Sequence, residues 1–123
     1  MRYALFLNYP EAQDAGVTDD DIQQGQAAFT AYVEALDSAG VLLAVDILQP
    51  VASSTTVSTR GGTLSVQDGP FIDTRERVGG VFVIDVADLD AAVAWAEKSP
   101  ATGWGAVEIR PTALTWDRSG GWH

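Results

Sequence analysis

Six side chains of this 123-residue chain have types and surroundings that could do chemistry: Asp68, Arg110, Tyr9, Phe71, Arg75 and Glu108. Asp68 opens the turn Asp68-Gly69-Pro70-Phe71, the most specific local pattern in the sequence. A carboxylate held on such a turn can act as a general base. It also has a structural use: an Asp before Gly-Pro can bond backbone N–H groups in an Asx-turn, with Gly69 free in its dihedrals and Pro70 fixing φ. Functional residues concentrate on loops carried by rigid scaffolds, so both roles stay open for Asp68. Arg110 offers a planar fork that could hold a substrate carboxylate or steady a developing oxyanion. Glu108 shares its strand face and could pair across the sheet. Tyr9, beside Asn8 at the end of an apolar run, either packs with its hydroxyl satisfied or turns that hydroxyl into a cleft. Phe71 is a packing anchor for its loop or a ligand platform. Arg75-Glu76-Arg77 is a solvated charged face or a ligand contact.

The residues that are missing narrow the chemistry further. The chain has no cysteine, which removes disulfides, thiolate nucleophiles and metal–sulfur sites. Its single histidine is the last residue, His123, so Ser-His-Asp triads and multi-histidine metal sites are excluded. Gly61-Gly62 and Gly79-Gly80 are isolated pairs, not a P-loop or dinucleotide fingerprint, and no cofactor is expected. Asp46, Asp68 and Glu108 could converge as a carboxylate metal site, yet they lack any signature spacing, and no metal is expected. Seventeen acids against seven bases give a net charge of −10, a field that repels phosphate backbones and argues against nucleic acid as a partner. No stretch reaches the ~18 apolar residues of a membrane span. The opening run Met1 to Leu7 is cut short by Asn8, Pro10 and Glu11, too early for a secretion signal. A cytoplasmic protein without membrane contact is expected.

These side chains have to be positioned by a small set of elements in one domain. Residues 2–9 read as a strand stopped by Pro10, with Tyr3, Leu5, Leu7 and Tyr9 on one face and Ala4 and Phe6 on the other. Thr18 caps a helix with Asp19, Asp20 and Asp21 in its first turn, where the dipole favours anions. Ile22, Phe29, Val33 and Leu36 mark that helix's apolar face, and Gly40 ends it. Residues 41–48 form a second apolar strand. Thr55 to Thr59 and Thr63 to Gln67 flank Arg60-Gly61-Gly62 as a hairpin. Gly80 opens a third strand to Val86. Asp88 caps a second helix with Leu89, Ala92, Val93 and Ala96 on its buried side, ended by Ser99-Pro100. Ala106 to Arg110 is the last strand, with Val107 and Ile109 opposite Glu108 and Arg110. The tail, residues 112–123, carries Trp116 and Trp122.

The order strand, helix, strand, hairpin, strand, helix, strand predicts an α+β fold, ferredoxin-like βαββαβ with an inserted β-hairpin. Its antiparallel sheet has both helices on one face. Strands apolar on both faces, with helices enough for one, predict a twofold homodimer closed sheet to sheet as a dimeric α/β barrel.

The turn Asp68-Gly69-Pro70-Phe71 resembles that of the DGPF-type branch of the YCII-related proteins. The stretches Ala39 to Leu42, Leu48-Gln49-Pro50, Thr55-Thr56-Val57, Glu76 to Gly80, Asp88-Leu89-Asp90, Trp95-Ala96 and Val107 to Pro111 follow that family's pattern in order. The resemblance spans residues 2 to about 111, giving a family domain over 1–111 and a tail over 112–123. It implies a dimer of ferredoxin-like subunits and no settled activity. Related YCII proteins carry a helix histidine paired with an aspartate; that position is Phe29 here, so a His–Asp mechanism does not carry over. The expectation is a small organic-acid ligand bound in a cleft near Asp68, with Tyr9, Phe71, Arg75 and Glu108 as ligand contacts. If the protein is an enzyme, the groups suit an isomerase or lyase in which Asp68 is the base and Arg110 steadies the oxyanion. The alternative is a non-enzymatic interaction module, such as an accessory protein to transcription initiation, which the family resemblance alone suggests.

Overall fold

Alternating apolar residues carry the first strand, β1 (Arg2–Pro10), into the centre of the molecule. Tyr3, Leu5 and Leu7 are buried, while the residues between them are half-buried. The computed structural model describes residues 1–123. After β1 come a four-residue helix α1 (Ala12–Ala15), the long helix α2 (Asp19–Ser38), β2 (Leu42–Ile47), the hairpin β3 (Thr55–Ser58) and β4 (Ser65–Asp68), and β5 (Glu76–Asp85). Helix α3 (Leu89–Glu97), β6 (Ala106–Pro111) and a terminal ribbon β7 (Trp116–Asp117) and β8 (Gly121–Trp122) complete the chain. The main sheet has the order β2-β5-β1-β6 with every neighbour antiparallel, and the hairpin and ribbon are separate two-stranded sheets. This is the α+β, ferredoxin-like arrangement with an inserted hairpin that the element order predicts.

Thr18 and Asp21 form a capping box at the start of α2. The Thr18 hydroxyl accepts from the Asp21 amide at 3.1 Å, and the Asp21 carboxylate accepts from the Thr18 amide at 3.0 Å. The backbone bond from Thr18 holds the Asp21 carboxyl below its usual range. At the other end Gly40 takes φ +73, and the Val41 amide reaches back to the Leu36 carbonyl at 3.2 Å, closing the helix with a left-handed residue.

The core lies between the helices and one face of the sheet, built on Leu5, Leu7, Phe82, Ile84, Leu36, Tyr32 and Ala92. Tyr32 sits on the same face of α2 as Leu36, and its hydroxyl donates to the Trp95 carbonyl at 2.8 Å, tying α2 to α3. Burial pushes its phenol up to about 12. In the unfolded chain a tyrosine titrates near 10. The unfolded state therefore releases this proton first, and stability present below pH ~10 is lost as pH rises toward ~12. In Tyr32→Phe this alkaline loss should vanish, and at neutral pH the variant should be about 1 kcal/mol less stable through the missing bond. Chemical denaturation across pH 8–12 checks both, and an unchanged alkaline limb would refute the assignment.

Three expectations are corrected. The third strand begins at Glu76, not Gly80: Pro10 and Tyr9 pair with Glu76 and Arg77, with a bulge between Leu7 and Asn8 that leaves Gly79 out of register. On α3 the buried residues are Ala92 and Ala96, while Leu89 and Val93 are about half exposed (52% and 48%). Small alanines let the helix axis approach the sheet, which rotates the larger pair outward. The tail, for which the sequence offered no fold, forms a small ribbon: Trp116 pairs with Trp122, and Asp117 accepts from the Ser119 hydroxyl and the Gly120 amide to hold its turn. Ile22 is exposed toward the mouth of a cavity and is not packed in the core.

The other sheet face carries no helix. Ala4 and Phe6 of β1 sit opposite Val83 and Val81 of β5, all half-buried, with Asp46, Glu108 and Arg110 on the outer strands.

Candidate functional site

At the end of β1 the chain builds a cavity of about 660 Å³ on the helix side of the sheet. Its aromatic wall is Tyr9 from β1, Phe29 from α2 and Trp104 from the turn before β6. The rings meet edge to face: Tyr9 and Trp104 at 5.8 Å and 82°, Phe29 and Trp104 at 5.5 Å and 72°. Phe29 in turn stacks on the core ring of Phe82 at 6.4 Å. Ile22 and Ile47 extend the apolar lining, and Asp21, Gln24 and Gln26 on the first turns of α2 supply its polar rim.

Three glycines make this geometry possible. The Tyr9 ring lies directly over Gly79, and a Cβ there would overlap the phenol. Gly105 runs against the Asn8 carbonyl, so close that a Cβ would fall on its oxygen. Gly25 lets Trp104 rest on α2, where a Cβ would stand 3.3 Å from the indole. Strand alternation places Tyr9 on the same face as Leu5 and Leu7, and the unpaired Gly79 of β5 lies beneath its ring. The Tyr9 hydroxyl finds no hydrogen-bond partner within the chain, and burial raises its pKa.

A second hollow of about 140 Å³ adjoins the first, with Tyr9 as the shared partition. Arg77 and Glu11 line it, paired at 3.0 Å with side chains 18% and 12% exposed. Glu11 also accepts from the Val51 amide at 2.7 Å, and Arg77 also bonds Asp73 and the Thr74 carbonyl. Arg77 is thus a fully engaged tie between the end of β1 and two loops. Its charged-face reading is corrected, because the bulged pairing of β1 with β5 draws it inward.

Of the six residues singled out in the sequence, Tyr9 alone lines these two hollows. Asp68 ends β4, and its carboxylate makes no bond in the chain. The turn is held by the Gly69 amide on the Ser54 carbonyl at 2.8 Å, by the Thr56 hydroxyl on the Gly69 carbonyl at 2.8 Å, and by Gly69 at φ +103. The Asx-turn expectation is corrected accordingly. Phe71 is 71% exposed, so within the chain it anchors nothing. Arg75 is exposed in the following loop. Glu108 and Arg110 project from β6 on the helix-free face, opposite Phe6 and Ala4. The ion pairs of the chain join Met1 to Asp85, Arg77 to Glu11 and Asp73, and His123 to Asp117, so Glu108 and Arg110 pair with no one. Asp68 and Arg110 lie in different sheets, and neither lines the two hollows described above. No group of three or more acidic or imidazole side chains gathers, so Asp46, Asp68 and Glu108 do not converge. No helix is long and apolar enough to cross a membrane.

Trp104 and the polar rim were not legible as site residues. Trp104 lies in a stretch of Thr, Gly and Ala that carries no periodic signal. Phe29 is the position matched above to a family histidine, and here an apolar ring of the cavity wall stands there.

The sequence matches a known family over most of its length. The family model described as YCII-related domain matches residues 1–114. An uncharacterised protein of Rhizobium meliloti (strain 1021) is 30% identical over 118 residues, covering 93% of this chain and 94% of the relative. The chain therefore belongs to the YCII-related domain family.

Proposed function

We propose that this protein binds a small, ring-bearing organic molecule in the cavity walled by Tyr9, Phe29 and Trp104. One observation carries the reading: three aromatic rings from three separate elements, and a half-buried phenol without a partner, converge on a space of about 660 Å³. Small-molecule sites are mostly apolar clefts of roughly 300–1,000 Å³ with a few placed polar groups, and the Tyr9 hydroxyl with Gln24 and Gln26 fits that description. The test is a thermal-shift screen of ring-bearing metabolites on the chain and on Trp104→Ala. Trp104 is 45% exposed, so this variant keeps the core intact. Compounds that raise the Tm of the first and not the second support the site; a screen in which no compound distinguishes them overturns it.

The same proposal includes a twofold homodimer closed through the helix-free face. Support comes from the half-buried Ala4, Phe6, Val81 and Val83 and from the hairpin, where the pair Val57 and Val66 stands 62% and 60% exposed beside Phe71. Exposed paired apolar residues on a projecting ribbon are what a partner's surface would cover. The Asp68-Gly69-Pro70-Phe71 turn supports placement in the DGPF-type branch. An acid–base reaction of the isomerase or lyase kind at Asp68 and Arg110 would need a partner subunit to bring them together; both are free of partners in the chain. Sedimentation at micromolar concentration should give twice the 13.0 kDa subunit mass, and a lone subunit would remove both the dimer and that reaction.

A further inference from the structure

Resting on the cavity reading, we propose that the ligand is a positively charged ring compound, an aromatic ammonium, and not a carboxylate. The ionisable groups of the cavity lining are Asp21 and Tyr9, and neither is a cation. Arg77 is the cation of the adjoining hollow, and Glu11, Asp73 and the Thr74 carbonyl already occupy its guanidinium. A carboxylate entering the cavity would therefore find no fork to receive it, and it would approach a chain of net charge −10. An ammonium meets the reverse situation. Three aromatic rings, Tyr9, Phe29 and Trp104, line the space an ammonium would enter, and aromatic side chains attract cations where a ring face is reached. Asp21 adds a carboxylate at the rim. One of its oxygens is committed to the Thr18 amide and the other accepts no bond, leaving a lone pair for a charged donor. The amides of Gln24 and Gln26 line the same cavity.

A matched series on one ring separates charge from shape: tryptamine, 3-methylindole and indole-3-acetate, titrated into the full chain by calorimetry at low salt. Tryptamine should bind tightest, about tenfold over 3-methylindole, with indole-3-acetate weakest of the three. The advantage of tryptamine should shrink as salt rises, because an exposed carboxylate is screened. Asp21→Asn keeps an acceptor for the Thr18 amide. It should cut the preference for tryptamine by about three- to tenfold while leaving 3-methylindole unchanged. Indole-3-acetate binding as tightly as tryptamine, or an Asp21→Asn variant with the preference intact, overturns the charge assignment and leaves the cavity reading standing. If none of the three binds, the charge assignment falls, and the thermal-shift comparison with Trp104→Ala decides the cavity reading separately.

Discussion

Gly105→Ala should destabilise the protein by about 3 kcal/mol, lowering its Tm by roughly 10 °C, and should abolish ligand binding in the aromatic cavity. A Cβ on Gly105 would overlap the Asn8 carbonyl oxygen and stand 2.9 Å from the Asn8 carbonyl carbon and 3.0 Å from the Tyr9 Cα. All three obstacles are backbone, so no side-chain rotation relieves them. Either β6 separates from β1 at the pair Asn8 and Ala106, or the turn that carries Trp104 swings away. The Gly105 amide donates to the Ala101 carbonyl at 2.8 Å, and moving the turn strains that bond as well. Tyr9 and Trp104 then separate, and the cavity loses two of its three aromatic walls. Gly103→Ala is the internal control: a Cβ there meets nothing within 4 Å, and the substitution should stay within ~0.5 kcal/mol of the parent. Denaturation and ligand titration on both variants check the pair. Equal stability of Gly105→Ala and the parent would mean that β1 and β6 do not approach as described.

Phe82→Ala should cost about 3–5 kcal/mol, the range for truncating a fully buried aromatic in a close-packed core. Phe82 has no exposed surface, lies between Leu5 and Val45 in the sheet, and touches Tyr32 at 5.4 Å and Phe29 at 6.4 Å between ring centres. Its loss leaves Phe29 unsupported from below. The effect should therefore reach the cavity as a weakened ligand affinity, even at temperatures where the variant is still folded. Phe71→Ala makes an instructive contrast. That ring is 71% exposed in the single chain, so its truncation should change subunit stability by less than ~0.5 kcal/mol. If the homodimer forms over it, the cost should grow with protein concentration, because stability and association are then linked. A concentration series of unfolding curves reads both effects. A Phe82→Ala variant as stable as the parent would contradict the packing.

Several parts of this arrangement can be read from particular residues without coordinates. The acceptor Thr18 followed by three acids declares a helix start, and Gly40 declares its end; both signals act within one turn of backbone. Alternation in Tyr3, Leu5 and Leu7 declares the buried face of β1 in the same local way. Tyr9 was accessible as a site candidate because it ends an apolar strand next to polar residues. Asp68, Phe71 and Arg110 drew attention by residue type, yet type does not say which surfaces meet. Asp68 lies on a hairpin and Arg110 on an edge strand, and no local pattern reports the gap between two sheets. Periodicity put Leu89, Ala92, Val93 and Ala96 together on the buried side of α3, since both pairs repeat at four, and it could not divide them. Only the distance of α3 from the sheet selects the smaller pair.

Composition, caps and periodicities were thus enough for the main strands, the hairpin and the two main helices, their order and a ferredoxin-like topology, because each depends on neighbours within about one turn or one strand; the short helix α1 and the terminal ribbon went unread. The cavity depends on something else. It exists where Tyr9, Phe29 and Trp104, far apart in the chain, are brought within 7 Å between ring centres by backbone contacts at Gly25, Gly79 and Gly105. Such close approaches are set by how whole layers pack, and a glycine in a sequence looks the same whether it faces water or another backbone. Tertiary structure alone decided where this protein keeps its open space and which side chains surround it.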